Sequence, residues 1–134
     1  LNKNATGFTV EQEQVAFKGS KREETVILKE ALSISVRTTN EANIIDYHLT
    51  QKNVSSEKLE LPIYRYGGPL AYRGPHSWNS KNSNYLTSAG KMRRDSHATR
   101  ANWCSIFGPT EKGDATITMM GHPKNFYSPQ RLRT

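Results

Sequence analysis

Residues 72–79 read Tyr-Arg-Gly-Pro-His-Ser-Trp-Asn. A loop holding Arg73, His76 and Trp78 together combines an anion clamp, a titratable group and a flat stacking face. The same set suits a sugar or a small acid: Trp78 would cover an apolar ring face while Arg73 and Asn79 bind oxygens. The structural alternative is a packed loop, with its Trp as a plug and its Arg serving backbone carbonyls. Binding groups concentrate on loops, and Gly74 and Pro75 mark this stretch as one.

Two further groups add to that chemistry. Residues 90–103 carry Arg93, Arg94, His97 and Arg100 before Trp103. If 97–103 enters a strand, His97, Thr99, Ala101 and Trp103 share one face, and Arg100 lies on the other. Arg93 and Arg94 also read as an exposed basic corner. His122 precedes Pro123, which favours an extended backbone before it, and Asn125 follows three residues later. The substrate-binding candidates are therefore Arg73, Trp78, Asn79, Arg94, Arg100, His122 and Asn125, and the acid–base candidates are His76 and His97.

Other chemistries find little support. His76, His97 and His122 stand 21 and 25 residues apart, with no His-x-His pair and few carboxylates nearby, so no metal is expected. No cofactor is expected either. Residues 61–134 hold only Asp95, Glu111 and Asp114 as acids, which argues against a paired-carboxylate hydrolase. Cys104 lies in an apolar stretch and reads as an inert core thiol. A single cysteine rules out an internal disulfide framework. Asn4-Ala5-Thr6 and Asn53-Val54-Ser55 fit the glycosylation pattern, which also arises by chance.

The elements that must position these groups read as strands. Residues 7–18 alternate through Phe8 and Val10, then slip before Val15 and Phe17. Residues 25–38 alternate more cleanly through Leu28, Leu32, Ile34 and Val36, with a helix over 21–32 ranked second. An Asn-rich turn at 40–43 leads into a strand over 42–52, making an antiparallel hairpin. A short strand is expected over 59–66, no regular element over 79–88, and strands over 101–107 and 116–120. The fold class is mostly β: an antiparallel sandwich, with a supersandwich as its variant.

The chain has 134 residues, 34% of them hydrophobic, with a net charge of +7 and a mean hydropathy of −0.76. That is polar for one self-sufficient domain, although the aromatic residues argue against disorder. The sequence contains no run of 18 apolar residues, so no membrane-spanning helix is expected. It begins at Leu1 rather than Met, without a signal-peptide pattern, and reads as one partial domain of a larger protein. Residues 1–60 carry eight basic and nine acidic side chains, and residues 61–134 carry eleven and three. Such a basic half attracts anions.

Several motifs together resemble the PmoA-like ("methane oxygenase") family of bacterial proteins. They are Leu-Pro-Ile-Tyr-Arg-Tyr-Gly-Gly at 61–68, Arg-Gly-Pro-His-Ser-Trp-Asn at 73–79, and Asn82-Ser83. Leu-Thr-Ser-Ala-Gly-Lys at 86–91, Thr-Arg-Ala-Asn-Trp-Cys at 99–104 and Gly-His-Pro-Lys-Asn at 121–125 complete the set. The resemblance runs from about residue 24 to residue 133. It implies a β-sandwich, often exported, in bacteria that degrade polysaccharides, and it does not imply methane oxidation. Members look roughly twice this long, which supports the reading of a fragment. Where relatives carry Glu in the Thr-Ser-x-Gly-Lys motif this chain has Ala89, so a candidate acid or base is missing.

Three functions follow as expectations. The first is a carbohydrate- or small-acid-binding β-sandwich of saccharide catabolism, with the candidates lining one polar cleft. The second is a sugar-active enzyme, an epimerase or hydrolase, with His76 and His97 as acid and base. The third and last is a nucleic-acid binder, disfavoured because the cations are not interleaved with aromatic residues in a binding module.

Overall fold

A computed structural model describes residues 2–4, 6–60 and 70–134. It has seven strands in two antiparallel sheets and no helix among the described residues. The chain divides into two compact units, Leu1–Leu70 and Ala71–Thr134. The mostly-β, antiparallel class is the one expected from the alternating pattern.

The first unit is a four-stranded sheet in the order β1-β2-β3-β4. Its strands are β1 (Asn2–Asn4), β2 (Gly7–Lys18), β3 (Glu23–Thr38) and β4 (Asn43–Asn53). The slip in β2 lies opposite a bulge: pairing with β3 shifts between Gln14 and Val15. The extra residue is Ile27 on β3, which the pairing skips, so β2 itself alternates without a break and Val15 and Phe17 lie on the face opposite Phe8 and Val10. The helix reading over 21–32 gives way to β3, because Leu28, Leu32, Ile34 and Val36 bury one face only at period two. The turn after β3 is closed by Thr39, whose Oγ1 accepts the Ala42 amide at 3.0 Å.

One face of this sheet is apolar, formed by Phe8 and Val10 on β2, by Leu32, Ile34 and Val36 on β3, and by Ile45, Tyr47 and Leu49 on β4. Glu30 sits in the same row and is buried. Its carboxylate accepts the side-chain amides of Gln14 at 3.0 Å and Gln51. The opposite face carries the ion pairs Lys29–Glu13 and Arg37–Asp46, both exposed, which contribute little.

The second unit is a three-stranded sheet in the order β5-β6-β7, made of β5 (Asn84–Thr87), β6 (Trp103–Thr110) and β7 (Gly113–Met120). In β6, Cys104, Ile106 and Gly108 are buried while the residues between them are half-buried, so the core lies on that face. β5 corrects the expectation for 79–88. Its polar Asn84 and Thr87 hide the alternation, yet they pair with Phe107 and Cys104. The strand expected over 101–107 begins later and ends later. Pro109 can join it because β5 pairs only as far as Phe107, leaving the Pro109 nitrogen without a ladder partner to disappoint. The hairpin closes on Gly113 at φ +114, a conformation that favours glycine.

The condition that 97–103 enters a strand is not met. Residues 96–99 form a turn closed by the Thr99 amide on the Ser96 carbonyl at 3.2 Å, and Arg100 makes only an isolated bridge to Arg131. His97, Thr99, Ala101 and Trp103 therefore do not share a strand face. The strand expected over 59–66 falls, from residue 61 on, outside the described residues.

Cys104 is 2% exposed, and burial pushes its thiol above the ordinary 9.0. The folded chain thus keeps a proton that the unfolded chain loses above about pH 9. Stability falls as pH rises through that window and is untouched by Cys104 below it. Iodoacetamide at pH 8 should label the thiol only after urea unfolding, with mass spectrometry as the readout. Rapid labelling of the folded chain would contradict this burial.

Candidate binding site

The candidate residues all lie in the second unit, and the first question is which of them are already engaged. Trp78 is engaged. Its indole Nε1 donates to the Pro109 carbonyl at 2.7 Å. A Cβ added to Gly108 would lie 3.0 Å from Trp78 Cε2, and one added to Gly74 would lie 2.9 Å from Cε3. Gly108 shares the buried face of β6 with Cys104 and Ile106, so the indole continues the core past Ile106 where β6 offers no side chain. Of the two roles expected for Trp78, the hydrogen bond and the close approach to Gly108 are those of the plug that holds a packed loop.

Asn79 is engaged in the same way. Its Oδ1 accepts the Lys81 amide at 2.9 Å, and its carbonyl accepts the Ser83 amide and hydroxyl. Arg100 Nη1 donates to the carbonyls of Tyr127 at 3.0 Å and Pro129. The arginines that serve carbonyls are thus Arg100 and Arg93, not Arg73. Arg93 donates through Nε and Nη2 to the Ser83 carbonyl and stacks over the Tyr85 ring at 4.4 Å.

Arg73, His76 and Arg94 are exposed and make no side-chain hydrogen bond or ion pair among the described residues. Arg73 and His76 flank Gly74 and Pro75 on the loop that Trp78 anchors. The Trp78 amide closes its turn on the Pro75 carbonyl at 2.9 Å. The Arg73 charge therefore stands beside His76 on a turn closed by backbone hydrogen bonding, with no ion pair to an acid among the described residues.

The remaining candidates belong to the other end of β6. Gly121 donates its amide to the Asn102 carbonyl at 2.8 Å, and His122 follows it. His122 Nδ1 accepts the Lys124 amide at 3.1 Å, which leaves the ring proton on Nε2. His97 Nδ1 lies 3.1 Å from the Thr134 carbonyl, so it is the protonated donor there and Nε2 remains free. Trp103 and Pro109 are six residues of extended strand apart, about 20 Å. The structure thus places Arg73, His76, Trp78 and Asn79 by the Pro109 end and Arg100, His122 and Asn125 by the Trp103 end. It does not gather them into one cleft. His97 is bonded to Thr134, whereas His76 lies on the 73–78 loop with no side-chain bond among the described residues.

Among the described residues no three His, Cys, Asp or Glu side chains are grouped to hold a metal ion, and no helix is long and apolar enough to cross a membrane. The boundary between units coincides with the charge boundary. Residues 71–134 hold ten Lys and Arg against three acids, a surplus of seven, whereas residues 1–70 hold nine of each.

A family model of unknown function, DUF6807, matches residues 2–134. The chain belongs to the DUF6807 family. No curated protein and no solved structure matches it. For this DUF6807 chain the functional reading must therefore come from its own residues. One feature of the site escaped the sequence reading: Phe126 and Tyr127, side by side in the loop after β7, are the most exposed aromatic residues described. The available signal was their position among Gly121, Pro123, Asn125, Ser128 and Pro129, where a pair of aromatics has no strand or helix face to fill.

Proposed function

We propose that the Ala71–Thr134 unit binds an anionic small molecule, a uronic acid or similar small acid, in saccharide catabolism. The observation that carries this reading is the coincidence of structure and charge: the whole surplus of +7 falls in one compact unit. Arg73 and His76 give that charge a fixed position on the Trp78-anchored loop. A guanidinium binds a carboxylate through two parallel N–H donors, and a neighbouring imidazole adds a donor when protonated. The resemblance to PmoA-like proteins of polysaccharide-degrading bacteria supports a saccharide as the source of the carboxylate, and an exported location with it.

Isothermal titration with galacturonate, in parallel with neutral galactose, tests the reading. Galacturonate should bind and galactose should bind far more weakly. Arg73→Ala should weaken galacturonate about tenfold, the scale of a charge-assisted hydrogen bond, and His76→Ala should do so less. Raising the salt should weaken binding further, because these charges are exposed. Equal binding of both sugars, or full affinity in Arg73→Ala, would overturn it.

A further inference from the structure

The turn after β7 holds two aromatic side chains out in solvent. Phe126 is 83% and Tyr127 72% exposed, and their ring centroids lie 4.2 Å apart with the planes tilted by 55°. A single exposed apolar side chain is ordinary. A contacting pair on a backbone gripped at both carbonyls is not. Gln130 Nε2 donates to the Phe126 carbonyl at 2.8 Å, and Arg100 donates to that of Tyr127 at 3.0 Å. The Asn125 amide bonds the His122 carbonyl at 2.9 Å, and the Ser128 amide bonds that of Asn125 at 3.0 Å.

The backbone also carries strain at this point. Tyr127 has φ +55, in the left-handed region that bulky L residues seldom occupy. Such strain persists where its surroundings over-determine it, and it clusters at ligand sites. Glycine or asparagine would hold the turn more easily; tyrosine adds a ring. Polar groups stand beside the rings in the chain. Asn125 precedes Phe126, and its side-chain amide has no partner among the described residues. His122 has Nε2–H left to donate, since Nδ1 is taken by Lys124.

We infer that the 121–130 turn is a stacking platform for neutral, β-linked pyranosides. Pyranose rings with equatorial hydroxyls present flat C–H faces, which complement aromatic faces, while their hydroxyls at the rim suit an amide and an imidazole N–H. Phe126 and Tyr127 cover the C–H faces; His122 and Asn125 bind the hydroxyls. This site is chemically separate from the Arg73 and His76 loop, since its ligand has no charge, and it lies by the opposite end of β6.

Isothermal titration of the full chain with cellohexaose and xylohexaose tests the platform, with sedimentation velocity alongside. At least one of the two sugars should bind. Phe126→Ala and Tyr127→Asn should each weaken it about tenfold. Tyr127→Asn keeps a residue that tolerates the left-handed backbone, so its melting temperature should be no lower than that of the parent chain. Three results would overturn the inference: neither sugar binds, the double variant binds undiminished, or the chain forms a dimer that these substitutions dissolve without any sugar binding. The last would assign the patch to a second copy of the chain.

Discussion

Trp78→Ala is expected to destabilise the chain by about 3 kcal/mol, near the lower end of the range for a truncated core Trp because the indole is only half-buried. The substitution empties the space above Gly108, removes the indole donor from the Pro109 carbonyl, and frees the backbone of the 73–78 loop. Its second effect follows from the first. Galacturonate binding should fall by more than in Arg73→Ala, because the loop that carries Arg73 and His76 loses its anchor. Urea denaturation gives the stability and titration calorimetry the affinity. A stability within about 0.5 kcal/mol of the parent chain, the size of an ordinary surface substitution, would show that Trp78 is not the anchor. A Gly108→Ala chain offers an independent check, since its new methyl would meet the indole and the Ser83 Cβ at 3.0 Å.

The second large effect belongs to the first unit. Glu30 is 9% exposed in a row otherwise filled by Leu28, Leu32 and Ile34, and its carboxylate is held by two glutamine amides. Glu30→Ala removes both bonds and leaves a gap in the row, and about 2 kcal/mol should be lost. Glu30→Leu restores the volume and matches its neighbours. Gln14 and Gln51 are exposed and can turn their amides to water, so Leu should recover at least half of the loss. The contrast decides what the carboxylate does. If Glu30→Leu is as damaging as Glu30→Ala, the bonds to β2 and β4 hold the sheet; recovery shows that burial of the row holds it and that the glutamate fixes register. The second outcome is expected, measured by urea denaturation of both variants.

β2, β3 and β4 were legible in the sequence because each carries apolar residues at period two, whereas the three-residue β1, Asn2–Asn4, is too short and polar to show a pattern and was not read. The step from Val10 to Val15 was visible too, but it marks a change of apolar face along β2, opposite a bulge whose extra residue, Ile27, lies on β3. β5 was not legible, because its inward residue Thr87 is polar and is satisfied by the Lys91 amide instead of being excluded for its polarity. The 97–103 stretch misled for a related reason. Its alternation is real, but Ala98 at φ +58 and the Ser96–Thr99 turn set the chain direction, and neither leaves a mark on hydropathy.

For the site, residue type was a better guide to where charge gathers than to what each residue does. Trp78, Asn79 and Arg100 carry the right groups for a ligand, yet Pro109, Lys81, Tyr127 and Pro129 already occupy them. No spacing rule shows that a glycine thirty residues away leaves room for an indole. Exposure could not be read either, which is why Phe126 and Tyr127 were passed over for the histidine and asparagine just before them.

Arg73 and His76 form the proposed anion site on a loop that Trp78 anchors. The two tryptophans give two indole N–H signals in an 15N-labelled sample, and Trp78 Nε1–H is the one bonded to Pro109. Titrating galacturonate while recording those signals and the backbone amides of 73–79 is the most direct test. Saturable shifts confined to that loop and the Trp78 indole, abolished in Arg73→Ala, are the expected result. Shifts confined to 121–130, or no saturable shift at all, would contradict it.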